Sequence, residues 1–501
     1  MKVLNVQQLK EADAYTITHE PVAAIDLMER AAQQCVNWLL NRPLAEKPIA
    51  IFCGKGGNGG DGLAIARLLA SSGIESVVYI LEFGKMGTTE FQTNLARLHL
   101  LPVSLYYIQS EEQFPTLTKD TLIIDALYGF GLTRPLNGLS AALVKHLNQS
   151  GAEIIAIDLP SGLFADASSI GNVVVQATHT LTFESYKLAL LVAENAPFIG
   201  DVHVLHIHLY PPFLNALKTD FQLVDELFIK SIFRPRNRFT HKGTFGHALL
   251  VGGSYGKMGA IVLATSACLR SGAGLVSTYI PKCGYIILQT AAPEAMTITD
   301  ANELLLSQPY EDINRFDAVG IGPGMGTHGE TSKMLYGLLK KLDKPGVIDA
   351  DALNLLSTQP SLLTQLFQNT ILTPHPKEFE RLFGTCTNDF ERIGRARKKA
   401  AELSVVIVLK GHHTLIALPN GQTFFNSTGN AGMAKGGSGD VLTGIITSLL
   451  AQHYPAAHAA ILGVYLHGLA GDFAAQALSQ ETMTAGDLVR HLSSAFLQLH
   501  T

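Results

Sequence analysis

The sequence predicts an α/β protein made of two successive three-layer domains, and three observations lead to this prediction. Short apolar, β-branched segments alternate with segments of helical periodicity along the 501 residues. Several apolar segments end in glycine- or aspartate-rich turns, which is typical of parallel strands buried on both faces. The alternation occurs twice, before and after a stretch at about residues 210–240 that has no strong strand pattern. We therefore expect a Rossmann-like domain over residues 1–215 and a second α/β/α domain over residues 225–501.

The strands and helices of both halves can be assigned from these segments. A helix is expected at 62–73, where apolar residues have helical spacing before a closing glycine. The glycine-rich and alanine-rich segments after residue 436 are also expected to be helical. The segments expected to form strands are 48–54, 76–82, 121–127 and 153–162 in the first half, and 247–253, 318–324, 345–354, 369–376 and 405–411 in the second.

The composition limits the possible functions. Hydrophobic residues make up 47% of the chain and charged residues 16%, so large cores can be buried. The net charge is -5 and no long basic run occurs, which excludes a nucleic-acid partner held by many phosphate contacts. Small anions remain possible ligands because backbone N–H groups can bind them.

The cysteines and the apolar segments indicate a cytoplasmic protein without a membrane partner. The five cysteines lie far apart and form no CxxC pair, so neither a disulfide framework nor a zinc site is expected. The first residues lack the apolar segment of a signal peptide. No apolar stretch approaches the roughly 20 residues that a membrane-spanning helix needs.

A glycine-rich segment, 54–62, follows the first strand and opens the first predicted helix. Its backbone N–H groups can face a ligand, and a phosphate there gains from the helix dipole. A tight turn without a ligand is the alternative interpretation. Asn58 and Asp61 favour the functional one, because a turn needs no carboxylate at that place.

Two further strand ends of the first half carry acids, Asp125 and Asp158. The carboxyl ends of strands in an open α/β sheet converge on the ligand crevice. Asn58, Asp125 and Ser161 can supply oxygen ligands to a monovalent cation, which leaves Asp158 as the candidate for proton transfer. Each aspartate, taken alone, is equally typical of a helix cap or a turn.

The motifs GKGGNGGDG, DALYGFG and IDLPSG, with LMERAA near the start, resemble the NAD(P)H-hydrate epimerase family over about residues 1–215. The resemblance implies that the hydrated dinucleotide lies against the glycine-rich loop and the strand end after Asp125, with Asp158 as a catalytic residue. It also implies potassium bound by Asn58, Asp125 and Ser161. The substrate-binding residues it implies are Gly57, Asn58, Gly59, Gly60, Asp61, Gly129, Phe130, Gly131, Leu132, Thr133, Arg134, Pro135 and Asp158.

Lys187, in the segment TFESYK, has two interpretations. It can help to polarise the substrate of the first half. A solvated surface lysine is the more common situation for this residue type, and we expect it here.

The segment of the second half with the most candidate functional residues is 429–440, which reads GNAGMAKGGSGD. An apolar helix pattern follows it directly. Glycines ahead of a helix form an anion-binding site from backbone N–H groups. Asp440, at the helix start, can take a proton from an attacking hydroxyl. This combination suits phosphoryl transfer, and the alternative is a glycine hinge in which Asp440 caps the helix.

Three other strand ends of the second half carry polar side chains. Lys410 and Thr414 are candidates for contact with a nucleotide, while the neighbouring histidines alone are unremarkable. His375 lies between two prolines in a turn that is either functional or structural. Asp349 and Asp351 end a strand and either bind magnesium through water or cap the next helix, the second being favoured for Asp351.

HKGTFGHALLVGGS, GPGMG, DADALN, LTPHPKEFERL, LKGHHT and NAGMAKGGSGDVLTG resemble the ADP-dependent NAD(P)H-hydrate dehydratase family, whose fold is ribokinase-like, over about residues 225–501. The resemblance implies magnesium with ADP, a catalytic Asp440, and assembly into a homo-oligomer. Lys435 stands where the family often has threonine, and its role is open. The resemblance implies substrate contacts from Ala260, Gly324 and His375, and nucleotide contacts from Lys410, Gly411, His412, His413, Thr414, Gly439 and Asp440.

Together the two resemblances predict an enzyme that epimerises the R and S forms of hydrated NADH and NADPH and dehydrates the S form with ADP, giving AMP and phosphate. Two other functions compete with this prediction. A small-molecule kinase of ribokinase type fits the glycine–aspartate motif but leaves the fused first half unexplained. A nucleotide-sensing module without turnover is disfavoured, because an aspartate suited to catalysis is present in both halves.

Overall fold

The computed structural model describes residues 1–42 and 47–500, and the chain divides into two compact units. The N-terminal unit comprises Lys2–Thr219 together with the short segment Asn388–Phe390. The C-terminal unit comprises Asp220–Thr387 and Glu391–Thr501, with Met1. In the part of the chain that the structure describes, no helix is long and apolar enough to span a membrane.

The N-terminal unit has a seven-stranded sheet in the order β4-β3-β2-β5-β6-β7-β8, and every neighbouring pair is parallel. All four strands predicted for this half are confirmed. The strands of the unit are β1 (Lys2–Val3), β2 (Ile49–Cys53), β3 (Val77–Leu81), β4 (Ser104–Ile108), β5 (Leu122–Ala126), β6 (Glu153–Ile157), β7 (His179–Phe183) and β8 (Asp201–Leu205). Its helices are α1 (Val6–His19), α2 (Ala24–Leu40), α3 (Gly57–Ser71), α4 (Thr89–Leu98), α5 (Gly138–Gln149), α6 (Ala196–Ile199) and α7 (Pro211–Ala216).

Both faces of this sheet are covered, as the continuous apolar segments predict. Successive strand side chains point to opposite faces, so Ile51 packs in a cluster with residues of α2 and α3. Phe52, the next residue of β2, packs on the other face with Leu143 and Leu147 of α5. This is the three-layer arrangement expected of a Rossmann-like domain.

The first predicted helix begins earlier than its apolar pattern indicates. It was expected from residue 62, but α3 starts at Gly57, inside the glycine-rich segment. Gly59 and Gly60 are buried in its first turns, where a Cβ at Gly59 would lie 1.7 Å from the Gly54 carbonyl oxygen. Close packing, which sequence periodicity does not register, therefore explains part of the glycine content.

The C-terminal unit contains a larger sheet, in which neighbouring strands are parallel except at β16–β17 and β17–β18. The strand order is β9-β18-β17-β16-β15-β14-β13-β10-β11-β12. These strands are β9 (Phe221–Leu223), β10 (His247–Val251), β11 (Leu275–Ile280), β12 (Met296–Thr299), β13 (Ala318–Ile321), β14 (Gly346–Ile348), β15 (Ile371–Leu372), β16 (Val406–Leu409), β17 (Leu415–Ala417) and β18 (Thr423–Phe425). All five strands predicted for this half are confirmed.

The final quarter is helical, as predicted, and its most buried helix is the one that carries the glycine–aspartate motif. The helices of the unit are α8 (Glu226–Ile232), α9 (Met258–Arg270), α10 (Tyr285–Ala291), α11 (Gly329–Lys341), α12 (Ala350–Thr358), α13 (Pro376–Phe383), α14 (Asp389–Leu403), α15 (Ser438–Ala451), α16 (Ala456–Leu478) and α17 (Ala485–Gln498). From Val441 to Ala451 every residue of α15 is buried, so its start is fixed rigidly in the core.

The connector at 210–240 has more structure than its composition predicts. No strong strand was expected there, and the structure has one short strand, β9, which pairs in parallel with β18 at residues 221–223. A strand of three residues is too short to produce an alternating pattern, and its partner is about two hundred residues away in sequence.

Candidate active sites

The N-terminal unit has a cavity of about 670 Å³ at the carboxyl ends of β2, β5 and β6. The exposed surface of its wall is mostly apolar, with polar and charged side chains from several elements, which is the usual composition of a small-molecule site. The lining residues are Lys10, Asp13, Ile17, Ala24, Leu27, Met28, Ala31, Gly56, Gly57, Asn58, Asp61, Glu90, Leu127, Tyr128, Gly129, Phe130, Gly131, Leu132, Thr133, Arg134, Asp158, Phe183 and Ile207.

Asp158 is the first residue after β6 and is held in an unusual backbone conformation. Its φ angle is +67°, in the left-handed region that non-glycine residues rarely occupy. Its carboxylate accepts the backbone N–H of Phe130 at 2.9 Å. Such strain persists only where the surrounding structure enforces it, and it is frequent at active sites.

Lys187 is buried beside Asp158, so the expectation of a solvated surface lysine is wrong. Its side chain is 1% exposed, and its Nζ lies 2.8 Å from Asp158 Oδ1. The same ammonium donates to the Thr182 hydroxyl at 2.8 Å and to the Phe183 carbonyl oxygen at 2.9 Å. A buried lysine needs such partners to offset its desolvation, and a sequence does not reveal them.

The structure places only part of the glycine-rich loop at the cavity. Gly57, Asn58 and Asp61 line it. Gly59 and Gly60 are buried within α3, and a Cβ at Gly60 would meet the Met28 side chain at 2.8 Å. The sequence predicted that these two glycines contact the substrate, but in the structure they serve helix packing and do not line the cavity.

The segment after β5 forms a second wall of the cavity. All residues from Gly129 to Arg134 line it, whereas Pro135, also predicted to bind substrate, does not. A Cβ at Gly129 would lie 3.0 Å from Asp158 Oδ2 and 3.3 Å from Asn58 Oδ1, so this glycine fills the space between the two side chains.

Asp125 and Ser161, two of the three predicted cation ligands, are in contact at the end of β5. The Ser161 hydroxyl donates to Asp125 Oδ1 at 2.6 Å, and the Ser161 backbone N–H donates to Oδ2 at 2.8 Å. Burial raises the pKa of Asp125 to about 6, and these hydrogen bonds oppose the increase. The amide atoms of Asn58, the third predicted ligand, are buried and have no hydrogen-bond partner among the described residues.

Two more carboxyls face the same cavity, and the sequence drew attention to only one of them. Burial, followed by the charge of Asp158, raises the pKa of Asp61 well above its usual range. The same two causes raise the pKa of Asp13 to about 6, although Lys187 lowers it. Asp13 lies on α1, where it follows the buried Ala12, and nothing in its sequence surroundings indicates a site.

The C-terminal unit has its own cavity, of about 900 Å³, at the carboxyl ends of β14, β15 and β16. Six of the seven nucleotide-binding residues predicted for this half line it, and the exception is His413. The lining residues are Asp349, Ala350, His375, Glu378, Lys410, Gly411, His412, Thr414, Asn426, Thr428, Gly429, Asn430, Ala431, Met433, Ala434, Lys435, Gly436, Gly437, Ser438, Gly439, Asp440, Leu442, Val464, His467 and Gly468.

Asp440 lies in the first turn of α15 and faces this cavity. The helix follows Gly437, whose φ of +94° favours glycine and where a Cβ would lie 2.7 Å from Leu263 Cδ1. Amide groups in the first turn have no intrahelical acceptor, so they are available to an anion. Burial, and then the charge of Asp349, raise the pKa of Asp440 to about 7.

Lys410 pairs with Asp349, which sequence reasoning weighed only as a helix cap or magnesium ligand. Its Nζ lies 2.9 Å from Asp349 Oδ1, and the Thr443 hydroxyl donates to Asp349 Oδ2 at 2.7 Å. Asp349 precedes α12 but makes no side-chain cap, and Asp351 lies inside that helix, where it accepts the Gly326 N–H. The expectation that Asp351 caps the helix is therefore wrong.

Of the three predicted substrate contacts of this half, His375 lines the cavity, whereas Ala260 and Gly324 are not among its lining residues. Ala260 and Gly324 are adjacent, since a Cβ at Gly324 would lie 3.0 Å from the Ala260 Cβ. His375 lines the cavity with Lys410 and also caps α13, because its Nδ1 accepts the backbone N–H of Lys377 at 3.1 Å. The functional and structural interpretations of His375 therefore both have a basis in its contacts.

His467, which sequence analysis did not consider, supports the start of α15 from α16. Its Nε2 is 2.9 Å from the Ser438 carbonyl oxygen and 3.2 Å from the Ser438 hydroxyl. Burial lowers its pKa to about 4, so the ring is neutral at ordinary pH. Lys435, whose role the sequence left open, donates to the backbone carbonyls of Glu481 and Met483.

Comparison with known proteins identifies both halves of the chain. The sequence profile described as NAD(P)H-hydrate dehydratase matches residues 248–494, and the profile described as YjeF-related protein N-terminus matches residues 24–189. The bifunctional NAD(P)H-hydrate repair enzyme Nnr of Moorella thermoacetica is 37% identical over 508 residues, covering 98% of this chain and 96% of that relative. The chain belongs to the family of bifunctional NAD(P)H-hydrate repair enzymes. The family recognised from the sequence motifs is thereby confirmed.

Another relative and one solved structure agree with this assignment, and a second solved structure is similar over the C-terminal half. The enzyme of the same description from Vibrio cholerae is 36% identical, covering 97% of this chain and 96% of that one. A ribokinase-like superfamily protein of Enterococcus faecalis, 29% identical, has a TM-score of 0.51 and covers 57% of this chain and 98% of its own. That likeness confirms the predicted ribokinase-like fold. An ADP/ATP-dependent NAD(P)H-hydrate dehydratase of Bacillus subtilis, crystallised with ATP and Mg²⁺, is 32% identical, with a TM-score of 0.48 and coverage of 55% of this chain and 98% of its own.

Proposed function

We propose that the N-terminal half, residues 1–215, interconverts the R and S forms of hydrated NADH and NADPH, and that the C-terminal half, residues 225–501, dehydrates the S form with ADP. The observation that carries the proposal is that each unit has its own cavity with a carboxyl in it, Asp158 in one and Asp440 in the other. The two activities complement each other, because a dehydratase specific for one epimer leaves the other unrepaired.

In the N-terminal cavity, Asp158 is the group that exchanges a proton with the substrate. Its carboxylate is fixed by Phe130 N–H on one oxygen and by Lys187 on the other, so it faces the cavity in one orientation. A carboxylate held in this way can remove the hydroxyl proton of the hydrated ring and return it after the ring carbon has changed configuration. Gly57, Asn58, Asp61 and the segment 129–134 provide the binding surface for the dinucleotide.

Asn58, Asp125 and Ser161 fit a potassium ion in their chemistry. Asn58 Oδ1 is buried without a hydrogen-bond partner, so it is available as a ligand. The Asp125 carboxylate is completely buried, and no lysine or arginine pairs with it among residues 1–42 and 47–500. When bound, the cation supplies positive charge that stabilises the segment after β5 and an anionic substrate near it.

In the C-terminal cavity, Asp440 acts as the base of a phosphoryl transfer. It removes the proton of the substrate hydroxyl, whose oxygen forms a bond to the terminal phosphorus of ADP while the bond from that phosphorus to AMP breaks. Phosphate then leaves the ring carbon, pushed by the lone pair of the ring nitrogen. Loss of a proton from the adjacent carbon restores the double bond of the nicotinamide.

The first-turn amides of α15, including those of Gly439 and Asp440, are placed to bind the transferred phosphate. Lys410, Gly411, His412 and Thr414 form the neighbouring wall, and we assign the nucleotide to this region. The described residues contain no group of three histidine, cysteine, aspartate or glutamate side chains suited to a metal. Magnesium, which supplies charge neutralisation to the phosphates, is therefore expected to be held mainly by the nucleotide itself, as is common for this ion.

We also expect a homo-oligomer, as the family resemblance implies, and a cytoplasmic location, as the dispersed cysteines indicate. The competing function, a kinase that releases a stable phosphorylated product, is distinguished by its products. The dehydratase releases AMP, phosphate and reduced nicotinamide in equal amounts. A kinase acting on the same substrate would leave its phosphate ester in solution.

The proposal is tested by incubating the full chain with mixed epimers of hydrated NADH and following the absorbance of reduced nicotinamide. Complete conversion is expected with ADP, and epimer exchange without absorbance change is expected in its absence. Asp440→Ala should lose dehydration by about 10²–10⁴-fold while ADP binding persists. Asp158→Asn should lose epimer exchange to a similar degree while substrate binding persists. Wild-type rates in either variant would refute the corresponding assignment.

A further inference from the structure

The N-terminal cavity contains a carboxyl for which the proposed epimerisation has no role so far. Asp13 is on α1, a different element from the strand end that carries Asp158, and its half-buried side chain lines the same cavity. No hydrogen bond or ion pair to its carboxyl is present among the residues that the structure describes. Asp158, by contrast, is held by Lys187 and Phe130.

Ring opening requires two proton-carrying groups at once. The hydroxyl of the hydrated ring must lose a proton, and the ring nitrogen must gain one when its bond to the hydroxyl-bearing carbon breaks. Asp158 is one such group, and its pairing with an ammonium suits the carboxylate that removes a proton. A second group, protonated before the reaction and close to Asp158, is needed for the nitrogen.

We propose that Asp13 is a second catalytic residue of the epimerase site and acts as the general acid at the ring nitrogen, with Asp158 as the base. This inference rests on the proposed epimerase function of the cavity. Three observations support it: the two carboxyls come from different elements, they share one cavity, and Asp158 pairs with Lys187 whereas Asp13 has no hydrogen-bond or ion-pair partner among the described residues.

The proton and electron transfers balance in this scheme. The Asp158 carboxylate takes the hydroxyl proton, the carbon–oxygen bond becomes a carbonyl, and the electron pair of the carbon–nitrogen bond moves to nitrogen. The nitrogen takes the proton of Asp13, which gives an open-chain aldehyde. After rotation of the aldehyde group, the nitrogen attacks its other face, Asp13 recovers its proton, and Asp158 returns its proton to oxygen.

The electrostatic surroundings keep the two carboxyls different. The groups that face Asp13 are Asp61, Asp158, Glu184 and Lys187, with Lys10 on its own helix at the cavity wall. Burial and the Asp158 charge raise the pKa of Asp13 to about 6, so a protonated fraction is present near neutral pH. A carboxyl that keeps its proton near neutral pH can act as the acid beside a carboxylate that acts as the base.

The test uses the full chain, purified single epimers of hydrated NADH, and chromatographic separation of the epimers without ADP. Asp13→Asn should lower kcat for epimer exchange by about 100-fold or more, after subtraction of the uncatalysed rate, with KM changed only a few-fold. Dehydration of the S epimer with ADP should be unchanged, which shows that the C-terminal unit is intact, and the nearly unchanged KM for epimer exchange shows that the N-terminal cavity is intact. Glu11→Gln, an exposed carboxyl on the same helix, is the matched control and should behave like the wild type.

The pH profile separates an acid from a merely structural residue. Because the protonated form of Asp13 is active, kcat/KM of the wild type should fall as pH increases through about 6, and Asp13→Asn should lack this fall. Wild-type exchange by Asp13→Asn, or loss of the same pH limb in Asp61→Asn instead, would overturn the inference. If the wild type itself exchanges no epimers, it is the proposed epimerase function that fails.

Discussion

The two units each pair a lysine with a buried aspartate at a strand end, but they use the pair in different ways. In the N-terminal unit, Lys187 lies 2.8 Å from Asp158, which is itself the candidate proton carrier. In the C-terminal unit, Lys410 lies 2.9 Å from Asp349, and the candidate base Asp440 is a neighbour of this pair. The first arrangement fixes the reacting carboxylate, whereas the second leaves it with a pKa of about 7.

Backbone strain is present at the same place in both units. Asp158 has a φ of +67° directly after β6, and Ala350, which follows Asp349, has a φ of +50° after β14. Both residues line the cavity of their unit. In each half, the strained residue either carries a carboxylate of the site, as Asp158 does, or directly follows one, as Ala350 follows Asp349. Backbone strain therefore accompanies a carboxylate at a strand end in both units, although the proposed chemistry differs.

The largest expected effect tests whether the N-terminal pair is structural as well as chemical. Lys187→Met leaves the Asp158 carboxylate buried without a counter-charge, which should cost about 3–5 kcal/mol of unfolding free energy. The midpoint of urea unfolding, followed by fluorescence of Trp38, the one tryptophan of the chain, measures this. Lys145→Met, at an exposed position, should change stability by less than about 0.5 kcal/mol. Equal unfolding free energies of the two variants would show that Lys187 does not stabilise the buried Asp158 carboxylate.

A second prediction concerns His467, whose neutral ring contacts Ser438 at the start of α15. The pKa of His467 is lowered from 6.5 to about 4 in the folded state, so the unfolded chain binds more protons in this interval. Stability should therefore be fully present above pH 6.5 and decrease as pH falls towards 4, by on the order of 3 kcal/mol. His467→Gln should reduce this dependence, measured as hydrogen exchange of the α15 amides, and His491→Gln should not. Unchanged pH dependence in His467→Gln would assign the acid sensitivity to another group.

The smallest effect sharpens the role of the second pair. Lys410 lowers the pKa of Asp440, so Lys410→Met should raise it further. Because the ionised form of Asp440 is the base, the pH above which dehydration becomes active should increase from about 7 by about one unit. Lys398→Met, whose side chain is 73% exposed, should leave the profile in place. A profile that stays at the wild-type position in Lys410→Met would separate Lys410 from Asp440 electrostatically.

Much of this fold was predictable because parallel strands buried on both faces are continuous apolar segments. All the strands assigned from sequence are present, but nine further strands were not assigned: β1, β4, β7, β8, β9, β11, β12, β17 and β18. Four of these, β1, β9, β17 and β18, have only two or three residues and carry no pattern, and β4 and β8 are not continuously buried. The helix at the glycine-rich loop was placed too late, because Gly59 and Gly60 serve close packing that a one-dimensional pattern does not show.

The candidate sites were predictable where glycines and acids follow strands, and less so elsewhere. Asp158, Asp440 and most residues of the loops line the cavities, as their positions at strand ends indicate. Lys187 was considered but expected on the surface, and Asp13 was not considered, for the same physical reason. Whether a charged side chain is buried depends on partners and neighbours distant in sequence, and these become visible only in three dimensions.

The central claim is that two separate carboxylates, Asp158 and Asp440, carry two successive steps on one substrate. The most direct measurement combines Asp158→Asn and Asp440→Asn in one reaction with mixed epimers of hydrated NADH and ADP. Each variant alone should fail, the first after converting the S epimer and the second without forming reduced nicotinamide. The mixture should convert all of the substrate. Incomplete conversion by the mixture, or complete conversion by either variant alone beyond the uncatalysed exchange of epimers, would contradict the claim.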